Sequence, residues 1–273
     1  MFVISCIQMN SSDNLDDNIF KASGLSDTAI SQGAQMLCFP ENVLLMPSSK
    51  KNLLSQSFEE NQNPGLNFFT NLAKTKNIWV LAGSLSIRTL KDKVFNRSYL
   101  IDNYGVIIGS YDKIHLFDVD LSNGVSFRES DSYISGQNAS VLKTSLATFG
   151  LTICYDIRFP NLYRKIALKG ANVILVPSAF TKYTGQMHWD VLLRARAIET
   201  GSYIIAPAQT GKHRGGRETY GHSLIIAPDG KILKDAGESP GVITCEVDIS
   251  KSFKARETIP SLFLNPEYSI EVN

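Results

Sequence analysis

The sequence predicts an α/β fold, and three observations support that prediction. Short runs rich in Val, Ile and Leu alternate with longer segments whose apolar residues recur at the helical period. Most of these segments end at a glycine or proline, residues that often mark turns. No stretch rich in Pro, Gly or Ser divides the 273 residues, so residues 1–273 are predicted to form a single domain with two halves of similar β-α-β character.

Local patterns predict the elements of the first half. Amphipathic segments predict helices over residues 18–31, closed by Gly33, and over residues 66–74. Asn103-Tyr104-Gly105 predicts a hairpin turn, because glycine readily adopts the positive φ that the turn needs. Apolar runs predict strands over residues 3–8, 35–39, 78–87, 94–102 and 106–112.

The second half repeats this pattern. A strand ends over residues 151–154, and a helix begins at Pro160 and stops at Gly170. Residues 188–200 form a further predicted helix that stops at Gly201, and Pro228-Asp229-Gly230 predicts another hairpin. The other predicted strands cover residues 172–176, 202–206, 222–227, 231–234 and 241–249.

Composition argues against nucleic-acid and membrane partners. The chain is 43% hydrophobic and 19% charged, and 27 Lys and Arg against 26 Asp and Glu leave a net charge of +1. No run of basic residues supplies a footprint for nucleic acid. The longest apolar runs fall far short of the roughly 20 residues of a membrane-spanning helix, and the N-terminus lacks a basic signal region. We therefore expect a cytoplasmic protein.

The cysteines argue for reduced thiols. Cys6, Cys38, Cys154 and Cys245 lie far apart and form no Cys-x-x-Cys pair. This spacing argues against a zinc site and against a disulfide framework, and the histidines show no ligand spacing either. We expect at most one thiol with a chemical role, no metal and no cofactor.

Three chemically different side chains are predicted where strands end. Glu41 and Lys113 each follow a predicted strand, and Cys154 ends another. Singly, they are ordinary for a loop carboxylate, an edge charge and a small core residue. Ligands of open α/β sheets gather at the carboxyl ends of strands, so we expect the three to share one pocket. Together they form the base, cation and nucleophile that acyl transfer from nitrogen requires.

Histidine is the alternative base for the Cys154 thiol. The candidates are His115, His188, His213 and His222. None lies in a setting typical of cysteine proteases, so Glu41 is the favoured base.

Three motifs resemble those of the carbon-nitrogen hydrolase, or nitrilase, superfamily. They are Phe39-Pro40-Glu41-Asn42, Tyr111-Asp112-Lys113-Ile114-His115-Leu116-Phe117-Asp118 and Ile153-Cys154-Tyr155-Asp156-Ile157-Arg158-Phe159-Pro160. The likeness covers nearly the whole chain. It implies a four-layer α-β-β-α sandwich that assembles through its helical faces into a homodimer or larger homo-oligomer.

Further segments are similar to the branch that contains deaminated glutathione amidase and omega-amidase. These are Pro177-Ser178-Ala179-Phe180-Thr181, Thr184-Gly185, His188-Trp189, residues 192–199 and Tyr220-Gly221-His222-Ser223. The resemblance implies a thiol amidohydrolase for a small carboxylated amide, with deaminated glutathione, split to 2-oxoglutarate and Cys-Gly, as the first candidate. The alternatives are 2-oxoglutaramate, an N-carbamoyl compound or a nitrile, and a catalytically silent oligomeric binding protein of the same fold.

The expected chemistry begins with proton transfer from Cys154 to Glu41. A free thiol has a pKa near 8.5 and a free glutamate near 4.3, so transfer is uphill by about 6 kcal/mol. We expect burial to raise the pKa of Glu41 and Lys113 to lower that of Cys154. Lys113 and the backbone N–H of Tyr155 are the expected donors to the oxyanion.

The resemblance also implies roles around the pocket. Glu129 is expected to hold Lys113 and help position substrate or water. Arg158 is expected to clamp the α-keto acid end of the substrate, with Phe180 and Thr184 packing against that part.

The sequence allows two roles for each of two further groups of residues. A basic cluster, Lys212, His213, Arg214 and Arg217, suits either a solvated loop or a contact with a distal carboxylate. An apolar stripe, Trp189, Leu192 and Ile198, is assigned to the core or a subunit face. The segment Leu264-Asn265-Pro266-Glu267-Tyr268 departs from the basic pair before proline that is common in the family, which puts the usual C-terminal contacts in doubt.

Overall fold

Two β-sheets pack face to face, and helices cover the outer face of each. The computed structural model describes residues 1–89, 92–121, 124–264, 267 and 269–272. Its helices are α1 (Leu15–Ser31), α2 (Lys50–Ser55), α3 (Pro64–Lys76), α4 (Pro160–Leu168), α5 (Lys182–Thr200) and α6 (Ser250–Thr258). Its strands are β1 (Phe2–Gln8), β2 (Met36–Cys38), β3 (Trp79–Leu81), β4 (Leu85–Arg88), β5 (Val94–Ile101), β6 (Ile107–Asp112), β7 (Asp118–Asp120), β8 (Ser126–Arg128), β9 (Ser140–Lys143), β10 (Thr148–Leu151), β11 (Val173–Leu175), β12 (Tyr203–Ala206), β13 (Thr210–Lys212), β14 (Glu218–Tyr220), β15 (Leu224–Ile226), β16 (Ile232–Asp235) and β17 (Gly241–Val247).

Each sheet has a parallel centre. The first sheet runs β17-β1-β2-β3-β5-β4, with β6 beside β5, and the second runs β16-β15-β12-β11-β10-β9. Strands β1, β2 and β3 are parallel to one another, as are β10, β11 and β12. Because parallel strands end at the same edge, the loops after β2, β10 and β11 are brought to the edges where ligands gather. Two short hairpins, β7-β8 and β13-β14, stand outside the sheets.

Side-chain alternation divides the core. In β2, Met36 and Cys38 join the hydrophobic cluster between the sheets, whereas Leu37 joins a second cluster against α1 and α3. The second sheet is covered on its other face by α4 and α5, whose buried Tyr163 and Trp189 belong to the first cluster. This arrangement confirms the α-β-β-α sandwich implied by the resemblance.

Several element boundaries differ from the sequence predictions. Helix α5 begins at Lys182, well before residue 188, because Thr181 caps it by accepting a hydrogen bond from the Thr184 N–H. The predicted strand 78–87 is split into β3 and β4, with Gly83 at φ +58° between them. Cys154 lies beyond the end of β10, in a short 3₁₀ helix over Cys154–Arg158, rather than in the strand itself. Helices α2 and α6 were not predicted.

Part of the divergent C-terminal segment cannot be compared with the sequence prediction. Residues 265, 266 and 268 lie outside the described residues. Elsewhere, no helix in the described ranges combines the length and apolarity needed to cross a bilayer.

Candidate active site

Glu41, Lys113 and Cys154 line one cavity of about 220 Å³. Glu41 comes from the loop after β2, Lys113 follows β6, and Cys154 comes from the turn after β10. All three side chains are nearly inaccessible to solvent, with Glu41 and Lys113 each 2% exposed and Cys154 6% exposed. The topology therefore brings together the three residues that the sequence selected.

Cys154 occupies a tight turn. Its φ is +47°, in the left-handed region that non-glycine residues seldom adopt, and such strain is concentrated at functional sites. Its N–H donates to the Pro177 carbonyl at 3.0 Å, which ties the turn to the end of β11. Tyr155 is the next residue of the 3₁₀ helix, and N–H groups in the first turn of a helix have no intrahelical acceptor. The Tyr155 N–H is thus positioned as a candidate oxyanion donor beside the thiol.

Asp156 holds this turn, and the sequence analysis assigned it no role. Its fully buried carboxylate accepts from the Ile153 N–H at 2.8 Å and from the Tyr111 hydroxyl at 2.7 Å. It also accepts from the His115 N–H at 3.1 Å and is hydrogen-bonded to His115 Nδ1 at 2.7 Å. Asp156 thereby connects the Cys154 turn to the loop that carries Lys113. The His115 ring is engaged with Asp156 and stacks on Phe159, with centroids 3.5 Å apart.

Lys113 is a buried cation between two carboxylates. Its Nζ donates to Glu41 Oε1 at 2.8 Å and to Glu129 at 2.9 and 3.1 Å. Asn96 on β5 bridges the same carboxylates, because its Nδ2 donates to Glu41 at 2.9 Å and to Glu129 at 3.4 Å. The other Glu41 oxygen accepts from the Ala179 N–H at 2.8 Å. These bonds leave Glu41 fixed in one orientation beside the thiol.

Asn96 is a second residue that the sequence analysis missed. It is 1% exposed and stands in an otherwise strand-like segment. A buried amide in a strand is a signal of a polar network. The sequence could have indicated a polar network at Asn96, but not that its partners are Glu41 and Glu129.

The charges of the site determine the pKa directions. Burial raises the pKa of Glu41, but Lys113 and Arg217 outweigh burial and the net pKa of this carboxyl is lowered. Burial lowers the pKa of Lys113, but Glu129 and Glu41 reverse this effect and raise it well above 10.5. Burial and then Glu41 raise the pKa of the Cys154 thiol, against Lys113. The resting site therefore contains a carboxylate, an ammonium and a neutral thiol.

Burial does raise the pKa of Glu41 and Lys113 does lower that of Cys154, as expected, but the net pKa shifts are opposite to the expected outcome. The pKa of Glu41 is lowered rather than raised, because Lys113 is bonded directly to it. The pKa of Cys154 is raised rather than lowered, because desolvation of the thiolate exceeds the attraction of Lys113. The difference in pKa between the Cys154 thiol and the Glu41 carboxyl is consequently larger in the resting enzyme than in water.

The predicted binding residues divide into two groups. Tyr155, Phe180 and Thr184 line the cavity. Arg158 is absent from the described lining, and its guanidinium lies 5.2 Å from the ring centroid of Phe180 and 6.0 Å from that of Tyr155. Its Nη2 donates to His188 Nδ1 at 3.3 Å. Arg158 therefore contacts two lining residues without itself lining the cavity.

The basic cluster in the β13-β14 hairpin also divides. Arg217 lines the cavity, and His213 is buried. Arg214 pairs with Asp13 at 3.4 Å, and Lys212 is exposed. Within the described ranges, no group of three or more His, Cys, Asp or Glu side chains is arranged to hold a metal ion.

Comparison with known proteins gives a consistent family likeness. The family model described as carbon-nitrogen hydrolase matches residues 3–257. The chain is 39% identical over 265 residues to a deaminated glutathione amidase of Synechocystis, covering 96% of this chain and 97% of that protein. It is 38% identical over 261 residues to a deaminated glutathione amidase of Dictyostelium discoideum, covering 93% and 90%.

Solved structures show the same likeness. The NitFhit protein of C. elegans superposes with a TM-score of 0.89 at 32% identity, and the match covers 97% of this chain. This chain spans only 65% of the length of that protein. Nit3 of Saccharomyces cerevisiae, described as a member of branch 10 of the nitrilase superfamily, superposes with a TM-score of 0.85 at 28% identity and covers 95% of this chain and 94% of its own.

Proposed function

The chain belongs to the carbon-nitrogen hydrolase family and is a hydrolase of carbon–nitrogen amide bonds, and from that premise we propose that it cleaves deaminated glutathione through Cys154. The products are 2-oxoglutarate and Cys-Gly. One observation carries the proposal: a buried thiol, a carboxylate and an ammonium line one cavity of a chain that resembles deaminated glutathione amidases over nearly its full length.

The first half of the reaction forms a thioester. Cys154 Sγ attacks the amide carbonyl carbon while Glu41 accepts the thiol proton. The carbonyl oxygen becomes an oxyanion, which Lys113 and the Tyr155 N–H stabilise. Glu41 then returns the proton to the leaving nitrogen, the carbon–nitrogen bond breaks, and the amine departs.

The second half regenerates the enzyme. Glu41 accepts a proton from water, whose oxygen attacks the thioester carbonyl. The same two donors stabilise the second oxyanion. Collapse breaks the carbon–sulfur bond, the thiol regains a proton from Glu41, and the carboxylic product leaves.

The pKa directions require proton transfer and attack to be coupled. A neutral thiol beside a lowered carboxyl pKa does not ionise in the resting site. When Sγ bonds to carbon, the negative charge moves from sulfur to the carbonyl oxygen, where Lys113 is available. Lys113 therefore stabilises the transition state more than it would stabilise a resting thiolate. Such preferential stabilisation is the condition for catalysis.

The acyl end of the substrate lies near Phe180 and Thr184. Both line the cavity, and Arg158 stacks on Phe180. A guanidinium bonds a carboxylate through two parallel hydrogen bonds, which suits the α-keto acid end. Arg158 serves this role when the substrate carboxylate reaches past the Phe180 ring.

We also propose that the enzyme is a homo-oligomer in the cytoplasm. Exposed apolar side chains recur along α5 at Tyr183, Met187, Val191 and Ile198, which is the pattern of a helix that packs against a partner. The four free thiols suit a reducing compartment.

One assay tests the proposed function. Wild-type enzyme should release 2-oxoglutarate from deaminated glutathione, and Cys154→Ala should abolish this release while its circular dichroism spectrum stays unchanged. Iodoacetamide should inactivate the wild type, because Glu41 can accept the Cys154 proton while the sulfur is alkylated. No release by the wild type would exclude deaminated glutathione and favour one of the alternative substrates, and turnover by the Ala variant would exclude a thioester on this residue.

A further inference from the structure

A second arginine, Arg217, lines the cavity from the β13-β14 hairpin. The buried His213 ring fixes this hairpin, because its nitrogens are hydrogen-bonded to the Ser11 carbonyl at 2.9 Å and the Thr219 hydroxyl at 2.7 Å. The His213 N–H donates to the Arg217 carbonyl at 2.8 Å. These contacts fix the hairpin and therefore the backbone position of Arg217.

Arg217 lies on the Glu41 side of the nucleophile. Its Nη2 donates to the Ala179 carbonyl, and the N–H of the same Ala179 donates to Glu41. Its guanidinium lies 5.8 Å from the ring centroid of Phe127. Arg158, by contrast, lies over Tyr155 and Phe180. The two arginines thus contact different residues around the cavity.

The Arg217 guanidinium has unused hydrogen-bonding capacity. Its Nε is buried and has no hydrogen-bond partner. Among the residues that the structure describes, no carboxylate lies within ion-pair distance of it. A guanidinium that lines a cavity without an ion-paired carboxylate among the described residues is suited to bind an anionic ligand. A carboxylate is the group whose geometry fits the planar fork.

The direction of the reaction identifies which part of the substrate this carboxylate belongs to. Glu41 protonates the leaving nitrogen in the proposed mechanism, so the leaving group departs on the side of Glu41 and Arg217. We propose that Arg217 binds a carboxylate of the leaving group and selects amides whose leaving group is anionic. This inference rests on the proposed function. Deaminated glutathione carries such a carboxylate on its glycine, whereas 2-oxoglutaramate releases only ammonia.

The test compares two substrates that share an acyl group. The measurement is kcat/KM for deaminated glutathione divided by kcat/KM for 2-oxoglutaramate. In Arg217→Gln this ratio should fall at least about tenfold, the factor corresponding to one charged hydrogen bond, mainly through KM for deaminated glutathione. Because it is a ratio, it does not depend on the fraction of folded enzyme. Arg217→Lys keeps the charge without the fork and should give an intermediate ratio.

Arg214→Gln is the matched control. Arg214 is in the same hairpin, but its side chain is 79% exposed and pairs with Asp13, so the ratio should equal that of the wild type. An unchanged ratio in Arg217→Gln, or equal losses on both substrates, would overturn the assignment and leave Arg217 as a support for the Ala179 loop. If the wild type hydrolyses neither substrate, the proposed function itself is wrong and the assignment of Arg217 goes with it.

Discussion

Single residues in this protein acquire their chemistry from neighbours distant in sequence. Lys113 is an example, because its Nζ lies 2.8 Å from Glu41 Oε1 and 2.9 Å from Glu129 Oε2. Burial, followed by the nearby Glu41 carboxylate, keeps the Cys154 thiol neutral in the resting site. Removing Lys113 would leave the Glu41 and Glu129 carboxylates without their cation, and such uncompensated buried charge is strongly destabilising. We therefore expect Lys113, Glu41 and Glu129 to stabilise the fold in addition to their proposed role in catalysis.

Arg158 yields a prediction at this scale. Because the α-keto acid end is common to deaminated glutathione and 2-oxoglutaramate, Arg158→Ala should lower kcat/KM for both by a similar factor of at least roughly tenfold. Arg158→Lys should not restore activity, since an ammonium cannot make two parallel bonds. Steady-state kinetics on both amides measure this. Full activity in the Ala variant, or equal turnover of an uncharged amide by the wild type, would show that Arg158 does not hold the substrate.

The loops that follow the strands determine where these residues lie. Strands β2 and β3 are parallel neighbours, and the loops that follow them meet at the same sheet edge. Gly83 follows β3 at φ +58°, and a Cβ there would overlap the carbonyl oxygens of Phe39 and Pro40, immediately before Glu41. The position of Glu41, the proposed general base, thus depends on a glycine in the neighbouring loop.

Gly83→Ala tests this dependence. The substitution should lower the free energy of unfolding by about 1–3 kcal/mol and reduce kcat, because the displaced loop carries Glu41. Gly33→Ala is the control, since Gly33 has φ +85° but nothing within 4 Å of an added Cβ. Denaturant unfolding and kcat are the measurements. A Gly83→Ala enzyme that matches Gly33→Ala in both would contradict the proposed coupling.

The exposed face of α5 gives a second prediction for an element. Val191 is 59% exposed and lies among the exposed apolar side chains of α5, which are Tyr183, Met187, Val191 and Ile198. In an oligomer built on this helix, Val191→Asp would bury a charge, so light scattering should show a shift from oligomer to monomer. Phe20→Asp, on α1 over the other sheet and 82% exposed, should leave the oligomer intact. A wild-type monomer, or an equal effect of both variants, would remove α5 from the interface.

The whole molecule is a sandwich in which charges buried at one edge make stability depend on pH. The pKa of Glu41 is lowered in the folded protein, so this carboxyl contributes stability above its ordinary value of 4.5, and that contribution is lost as pH falls through the folded value. The pKa of Lys113 is raised, so its contribution is present below 10.5 and is lost only above that. Both contributions are therefore complete near neutral pH.

Thermal unfolding measured against pH checks the acid side. Wild-type Tm should be level near neutral pH and fall as the pH drops below 4.5, with residues 1–273 unfolding in one transition. Glu41→Gln should show a shallower fall, because it has no carboxyl to protonate. Cys154→Ala alters the same cavity without removing a carboxyl and should keep a slope close to that of the wild type. A slope in Glu41→Gln equal to that of the wild type would show that Glu41 does not contribute.

Local patterns in the chain predicted the α/β class, most of the strands and helices, and the three residues that share the cavity. These features depend on short-range properties: side-chain periodicity, turn residues and the chemistry that each side chain carries. Only folding brought Asn96 between Glu41 and Glu129, Asp156 against His115, and Arg217 rather than Arg214 to the cavity wall. The same contacts reversed the expected pKa directions of Glu41 and Cys154. A pKa depends on burial and on every charge within a few ångströms, and those charges come from segments far apart in the sequence.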